Sequence, residues 1–221
     1  MRKLTFFIVT VLFIACNNNH KDKIELTRLS DSANFKSKYN RYTIIELDSI
    51  IRKDSTDADA YFFRGFIYKN NESTQVKAYN DFDKSIRLGL KKSDAYYYRA
   101  KFRNHIEWGS SLDIKAVLKD LNMALKIDST NSNAYFQRAE YTIESFEDSM
   151  NKKNQDFEII PNIIYLKAIN DLTKSIKYKN NNASAYFMRA RYWCEIGDKS
   201  GSHSDYKKAK QLNSSLIDDC K

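Results

Sequence analysis

Glycine and proline are scarce in this sequence, with five glycines and one proline in 221 residues. Average usage of these two residues would give about 25 at this length. Sandwiches and barrels need many turn residues, so the scarcity argues against both architectures and against long disordered linkers. Hydrophobic residues make up 42% of the chain and aromatic residues 14%. That is enough apolar material for a core, so we expect most of the chain to fold.

Cysteine and histidine are also few, at three residues each. There is no CxxC motif and no Cys/His cluster, so the sequence predicts no metal site. His20, His105 and His203 have no nucleophile and orienting acid in a recognisable arrangement. Phosphate-binding glycine loops, HExxH and the calcium-loop pattern are missing as well. We therefore expect no enzymatic activity and no cofactor.

The first fifteen residues form a pattern of their own. They read MRKLTFFIVTVLFIA, with two positive charges followed by an apolar run too short to span a bilayer. This pattern predicts a secretory signal peptide over 1–15. The Ala15-Cys16 junction resembles the cleavage site of bacterial lipoproteins, which implies lipidation at Cys16 and a lipid-anchored location in the bacterial cell envelope, at the periplasmic or outer-membrane face. The alternative is an ordinary secretory signal in which Cys16 has no role.

Without Arg2 and Lys3, 35 basic and 28 acidic residues remain, a formal charge of +7. The lysines are scattered and form no block of like charge. They fit a solvated surface, or alternatively anionic partners or head groups. An exported protein does not normally meet nucleic acid, so we expect no nucleic-acid partner. Cys194 and Cys220 are the other two cysteines, and the sequence leaves open whether they form a disulfide.

A repeat is the most informative feature of the chain. A hexapeptide occurs four times, as AYFFRG, AYYYRA, AYFQRA and AYFMRA, beginning at Ala60, Ala95, Ala134 and Ala185. A second pattern precedes the last three copies, with apolar or small residues at i, i+3, i+4 and i+7. The steps from Ser85 to Tyr96, from Ala124 to Tyr135 and from Ser175 to Tyr186 are all eleven residues. Each pattern predicts an amphipathic helix, and turn residues separate the helices of successive copies.

The Tyr-x-x-Arg-Gly/Ala core, the following Ala-x-x-Asp-Phe/Leu-x-x-Ala/Ser and the Asp-Ser-Thr-Asn type connector resemble the tetratricopeptide repeat. The matches cover about residues 58–213, although the family's connector proline is absent and the Tyr-to-Tyr periods are 35, 39 and 51. The resemblance implies an all-α, right-handed α-solenoid of antiparallel helix hairpins, with four repeats plus an N-terminal half-repeat. The predicted organisation is the signal peptide, a tether and weak cap at 16–38, the repeat array at 39–213 and a tail at 214–221.

Extra residues fall inside two hairpins, between the first and the second helix. One insertion is 105–111, and the other is 146–162, which holds the only proline, Pro161. Both are expected at the edge of the array, where a loop is either a contact site or a tolerated excursion. The sequence does not decide between these two roles.

An arginine and an aspartate recur at one register in every repeat. An anion-binding groove is one interpretation, but an arginine next to the helix crossing would need a partner. We therefore predict internal ion pairs that fix the helix register, with ligand binding as the alternative. The predicted pairs are Arg64 with Asp81, Arg99 with Asp120, Arg138 with Asp171 and Arg189 with Asp205.

In the tetratricopeptide family the first helices line a concave face. The resemblance implies that this face is formed by the residue after each repeat tyrosine and by the residue one turn further on. The predicted partner-binding residues are Phe62, Phe66, Tyr97, Lys101, Phe136, Glu140, Phe187 and Arg191. Such an aromatic ladder with mixed charge suits an extended peptide or an amphipathic helix. The same rings could stack on sugars, or could in part pack between neighbouring helices.

These features predict a non-enzymatic, lipid-anchored adaptor whose partner is another envelope protein or a peptide. The alternative is a carbohydrate- or cell-wall-binding lipoprotein that uses the aromatic ladder. Both expectations rest on the same four aromatic residues, so burial of these residues against neighbouring helices would remove the site of both.

Overall fold

The computed structural model describes residues 41–103, 113–153 and 160–216. The signal peptide, Cys16, the tether at 16–38, the insertion at 105–111 and Cys220 therefore lie outside the described residues. Within these three ranges the regular structure is helical, and no strand occurs. One short 3-10 helix, Glu72–Thr74, accompanies the α-helices. The α-helices are α1 (Ile44–Lys53), α2 (Ala58–Tyr68), α3 (Gln75–Arg87), α4 (Ser93–Phe102), α5 (Ile114–Ile127), α6 (Ser132–Lys153), α7 (Ile160–Tyr178), α8 (Ala183–Glu195) and α9 (Lys199–Leu212).

Polar residues in the connectors begin the first helix of three repeats, as the sequence predicts. The side chains of Asp57, Asn131 and Asn182 accept hydrogen bonds from backbone N–H groups three residues later, at 2.9, 3.0 and 3.3 Å. These bonds satisfy donors that a helix N-terminus leaves free. The half-repeat begins with a capping box, in which Thr43 and Glu46 each bond to the other's backbone N–H.

The chain divides into two compact units, residues 1–90 and 91–221. In the first unit, α1 packs on α2 and α2 forms a hairpin with α3. In the second, α4–α5, α6–α7 and α8–α9 form three hairpins, and each hairpin also packs on the next. This arrangement is the predicted all-α hairpin fold, with four hairpins and a preceding second helix among the described residues.

Small residues lie where the two helices of each hairpin cross. A Cβ atom placed on Gly65 would lie 3.0 Å from the Cβ of Asp81 and 3.2 Å from the carbonyl oxygen of Ala78. Ala100, Ala139 and Ala190, at the same register, are completely buried. The close approach of the backbones explains why the repeat places glycine or alanine at this position.

The insertion at 146–162 is only in part a loop. Helix α6 continues to Lys153 and α7 begins at Ile160. The insertion is therefore helical at both ends, and residues 146–153 contain no glycine or proline that would end the helix. Pro161 falls in the first turn of α7, where proline is tolerated.

Two further features concern a disulfide and the membrane. Cys194 is disulfide-bonded, and Cys220, the partner considered from the sequence, lies outside the described residues. Among the helices of residues 41–103, 113–153 and 160–216, none is long and apolar enough to cross a bilayer.

Candidate functional site

Each recurring arginine makes a two-pronged contact with the aspartate of the second helix in its own hairpin. The guanidinium of Arg138 donates to both carboxylate oxygens of Asp171 at 2.7 Å. Arg64 donates to Asp81 at 2.8 and 2.6 Å. The other two pairs have the same geometry, with donor–acceptor distances of 2.5–2.9 Å between Arg99 and Asp120 and between Arg189 and Asp205. The four aspartates are only 4–6% exposed, so the pairs lie inside the hairpins.

Three of these arginines reach a third helix. Arg64 also bonds Asp48 at 2.7 Å, Arg138 bonds Asn122 at 2.7 Å and Arg189 bonds Thr173 at 3.0 Å. Each of these acceptors lies 16 residues earlier, in the second helix of the preceding repeat. The sequence analysis missed this contact because aspartate, asparagine and threonine share no motif. Their constant spacing from the arginine is the signal that could have revealed it.

The repeat tyrosine completes the arrangement. Each guanidinium lies 5.4–5.7 Å from the ring centre of the tyrosine three residues earlier, within cation–π range. The hydrogen bonds to Asp171 raise the pKa of Arg138, and those to Asp81 raise the pKa of Arg64. In all four repeats the guanidinium donates its hydrogen bonds to the protein itself.

The aromatic residues of the predicted binding face pack against the core, and those of the first unit are fully buried. Phe62 is completely buried, with its ring centre 5.2 Å from that of Phe63 and 5.8 Å from that of Phe82. Phe66 is also buried, at 2% exposure. Placing these two side chains on a binding face was wrong, because they pack in the core of the first unit.

The same inward packing occurs in the second unit. Phe187 packs its ring edge-to-face on Tyr206 of α9, with the centres 5.5 Å apart. Phe136 packs against the core cluster that contains Leu172, and Tyr97 belongs to the cluster that contains Leu121. The residue after the repeat tyrosine thus packs toward the second helix of its own hairpin. Periodicity shows which residues share a helix face, but it does not show which neighbour that face meets.

The polar members of the predicted face are not buried in the core. Lys101 and Arg191 are exposed, and Glu140 is half-buried. Within the described residues, neither Glu140 nor Arg191 has a hydrogen bond or an ion pair. These side chains are on α4, α6 and α8, the first helices of the second unit. These three positions are the part of the predicted face that reaches solvent.

Three side chains on the first helices of the second unit have raised pKa values. Burial and the nearby charge of Glu144 raise the pKa of Glu140, on α6, to about 7. Burial raises the pKa of Tyr97, on α4, to about 12, with contributions from the charges of Asp94 and Glu140. Burial also raises the pKa of Tyr192, on α8, and the charge of Glu140 adds to that effect.

The sequence analysis did not identify Tyr192. It lies six residues after Tyr186, and Tyr141 holds the same register after Tyr135. This recurrence is the signal that could have drawn attention to it. The ring of Tyr192 also lies near Tyr165 of α7, with 5.6 Å between the ring centres. Tyr97 and Glu140 are residues that the sequence predicts for the binding face. Tyr192 and Tyr165 are not among the predicted residues.

No group of three or more potential metal-ligating side chains occurs in the part of the chain that the structure describes. The arrangement around Glu140 holds a carboxylate and phenols, without a nucleophile beside them. Its chemistry is that of binding, through charge, hydrogen bonds and aromatic faces.

The fold is similar to those of several solved structures. YrrB, described as a tetratricopeptide repeat protein with an unusual peptide-binding site, is 17% identical, with a TM-score of 0.55 and coverage of 92% of both chains. MamA is 18% identical, with a TM-score of 0.56, over 77% of this chain and 86% of that one. MamA from Desulfovibrio magneticus RS-1 is 14% identical, with a TM-score of 0.57, over 90% and 97%. No family model and no curated protein matches the sequence. The likeness supports a tetratricopeptide-repeat fold for the described helices.

Proposed function

We propose that this protein is a non-enzymatic, lipid-anchored adaptor of the bacterial cell envelope. It binds a partner polypeptide along α4, α6 and α8, the first helices of its second unit. The anchor is the lipid on Cys16, and the repeat array presents the binding face. The partner is an envelope protein or a peptide segment of one.

One observation carries the binding part of the proposal. Glu140 and Arg191, on neighbouring first helices, have no ionic or hydrogen-bonding partner among the described residues. By contrast, the recurring arginines and aspartates of the same array are fully used inside the hairpins. Solvent-facing charges of both signs that make no internal pair can complement the charges of a partner polypeptide. YrrB, a protein of similar fold, is described as having a peptide-binding site, which supports a polypeptide as that ligand.

The carbohydrate-binding alternative depends on exposed aromatic rings. Phe62 and Phe66 are buried in the core, and Phe187 is packed on Tyr206. A sugar-stacking platform needs ring faces open to solvent. The burial of Phe62 and Phe66 weakens the support for sugar stacking, and the exposed or half-buried charged residues of α4, α6 and α8 support the adaptor.

Envelope crosslinking tests the proposal. Cells that produce the affinity-tagged full chain are treated with a cleavable crosslinker, and the adducts are purified under denaturing conditions. We expect one recurrent polypeptide, identified by mass spectrometry, that is absent when the crosslinker is omitted. Retention of the tagged chain on insoluble wall material, with no polypeptide adduct, would overturn the adaptor and restore the wall-binding alternative.

A further inference from the structure

The second helices of the second unit are rich in lysine. α5 and α7 contain three lysines each and α9 contains four, and none of these helices contains an arginine or a glutamate. Their carboxylates are those of Asp120, Asp171 and Asp205, and each of these is bonded to a repeat arginine. The charge that these three helices present to solvent is therefore positive.

The first helices of the same unit differ from the second helices in charge. They carry basic residues and also the helical carboxylates that do not pair with a repeat arginine, namely Asp94 on α4, Glu140, Glu144, Glu147 and Asp148 on α6, and Glu195 on α8. The lysines are scattered along the sequence, but the fold gathers many of them on one set of helices. This sorting of charge separates two surfaces of the unit.

Two repeat arginines show that the second helices lie side by side. The guanidinium of Arg138 bonds Asn122 of α5 at 2.7 Å and Asp171 of α7 at 2.7 Å, so α5 and α7 flank one side chain. Arg189 makes the same bridge between α7 and α9, through Thr173 at 3.0 Å and the paired aspartate at 2.6 Å. α5, α7 and α9 therefore form one row.

Exposed lysines lie on the side of this row that carries Asn122 and Thr173. Residues three, four and seven positions apart share one face of a helix. By that spacing, α5 has three lysines on the face of Asn122, α7 has one on the face of Thr173, and α9 has one at the equivalent register. These exposed residues form the lysine face, which consists of Lys115, Lys119, Lys126, Lys177 and Lys207. Within the described residues, none of the five has an ion pair.

Apolar side chains are exposed beside the lysine face. On α5, its three lysines surround a shallow groove of about 480 Å³ that Leu118 and Met123 also line. Met123 is 36% exposed, and Leu166, seven residues before Thr173 on α7, is 48% exposed. Lysines interspersed with exposed apolar side chains are typical of protein surfaces that lie in the head-group region of a membrane.

The combination of charge and apolar surface selects an anionic lipid surface as the ligand. Lysine side chains near a membrane are attracted to the phosphates of anionic lipids. The neighbouring apolar side chains can enter the boundary between head groups and acyl chains. A small soluble anion would pair with the lysines and leave Met123 and Leu166 in water. An anionic membrane complements both parts of the surface.

We propose that the lysine face binds the anionic head groups of the membrane to which the protein is anchored. This inference rests on the proposed lipid anchor and adds the orientation of the repeat array. α5, α7 and α9 lie against the bilayer, which leaves α4, α6 and α8 free to bind the partner polypeptide.

Energy transfer from the protein to labelled lipid tests this orientation. The lipidated protein is reconstituted into vesicles of phosphatidylcholine, with or without phosphatidylglycerol, that contain a trace of rhodamine-labelled lipid. A fluorescent amino acid at position 123 of α5, or at position 191 of α8, is the donor; both positions are exposed. The test variant combines Lys115→Gln, Lys119→Gln and Lys126→Gln. The matched control removes three exposed lysines of the first unit, through Lys53→Gln, Lys77→Gln and Lys84→Gln.

With phosphatidylglycerol present, we expect energy transfer from position 123 to be at least twofold greater than from position 191. In neutral vesicles, or at high salt, the two positions should give equal transfer, because the attraction depends on unscreened charge. The triple variant on α5 should lose the difference, and the control variant should keep it. Circular dichroism of both variants must show wild-type helix content, so that a changed orientation is not a loss of folding.

Equal energy transfer from the two positions in phosphatidylglycerol vesicles, or failure of the protein to associate with them, would overturn the inference. Equal effects of the two triple variants would also overturn it, because the attraction would then reflect net charge alone. A discrete polypeptide adduct from a photoreactive residue at position 119 would assign the lysine face to an acidic protein instead. If envelope crosslinking still yields a recurrent polypeptide, any of these results rejects the membrane contact while the adaptor function stands.

Discussion

The recurring arginine links the first helix of a repeat to two second helices and to its own tyrosine. Arg138 donates to Asp171 in its own hairpin and to Asn122 in the preceding one, and its guanidinium lies 5.5 Å from the centre of the Tyr135 ring. Because Asp171 is 6% exposed, removing its partner would leave a buried carboxylate without compensation. The pair therefore fixes the register of the hairpin. Replacing one member lowers the free energy of unfolding by more than the intact pair contributes to it.

Arg138→Ala should lower the free energy of unfolding by about 2–4 kcal/mol, because Asp171 loses both of its bonds to the guanidinium. The matched control, Arg191→Ala, removes an exposed arginine without an ion pair and should change stability by less than about 0.5 kcal/mol. Urea denaturation followed by circular dichroism measures both. If Arg138→Ala left the stability unchanged and abolished partner binding instead, the structural role of the arginines would be wrong.

Glu140 gives the stability of the protein a defined pH dependence. Its pKa is raised from 4.5 to about 7 by burial and by Glu144. Below pH 4.5 the carboxyl is protonated in both the folded and the unfolded chain, so its burial carries no charge penalty. As the pH rises through 7 the buried group becomes ionised, and the stability that protonation had provided is lost.

Glu140→Gln should therefore stabilise the free protein at pH 8, by about 1–2 kcal/mol after allowance for solvent screening of a half-buried group. At pH 4 the variant and the wild-type chain should have nearly the same stability. The phenols of Tyr97 and Tyr192, whose pKa values burial raises, do not change charge between these two pH values, and Glu144 is present in both proteins. Thermal melts at the two pH values check the difference. A lower melting temperature for Glu140→Gln than for the wild-type chain at pH 8 would mean that the ionised carboxylate stabilises the folded protein. That result would contradict a raised pKa for Glu140.

At the scale of the helices, the sequence is sufficient to predict the hairpins. It is not sufficient to predict which neighbour each helix face contacts. The eleven-residue joint, the N-cap residues and the small crossing residues each constrain the backbone locally, so the helices and their pairing could be predicted. The surroundings of Phe62 and Phe187 depend on which neighbour each first helix meets, and the helical period carries no information on that. Likewise, the contact between Tyr192 and Tyr165 depends on how α8 packs on α7.

The crossing of α2 and α3 provides a test at this scale. Gly65→Leu should lower the free energy of unfolding by about 1–3 kcal/mol, because even a Cβ atom at this position would lie 3.0 Å from that of Asp81. Lys84→Leu, on an exposed position of α3, is the matched control and should have little effect. Chemical denaturation of both variants gives the comparison. Equal stability of the two variants would mean that the helices do not cross closely at Gly65.

At the scale of the whole molecule, the chain is basic, with a net charge of +9. A positive charge suits a protein that is held next to anionic head groups. The anchor at Cys16 would hold the repeat array near the membrane, where a partner segment is recruited from a high local concentration.

The lipid anchor can be tested independently of the binding face. Cys16→Ala should abolish incorporation of an alkyne-labelled fatty acid and move the protein from the membrane fraction to the soluble fraction. Asn19→Ala, three residues further on, should retain both the label and the membrane association. Labelling of the Cys16→Ala chain to the wild-type level would reject the lipoprotein assignment, in favour of an ordinary secretory signal.

Site-specific photocrosslinking in living cells tests the central claim most directly. A photoreactive amino acid is placed at position 191 on α8 or at position 101 on α4, both exposed on first helices, and at position 126 on the exposed side of α5 as the control. The account predicts one discrete polypeptide adduct from positions 191 and 101, with little or none from position 126. Adducts of equal yield from all three positions, or none from the first helices, would contradict binding along α4, α6 and α8.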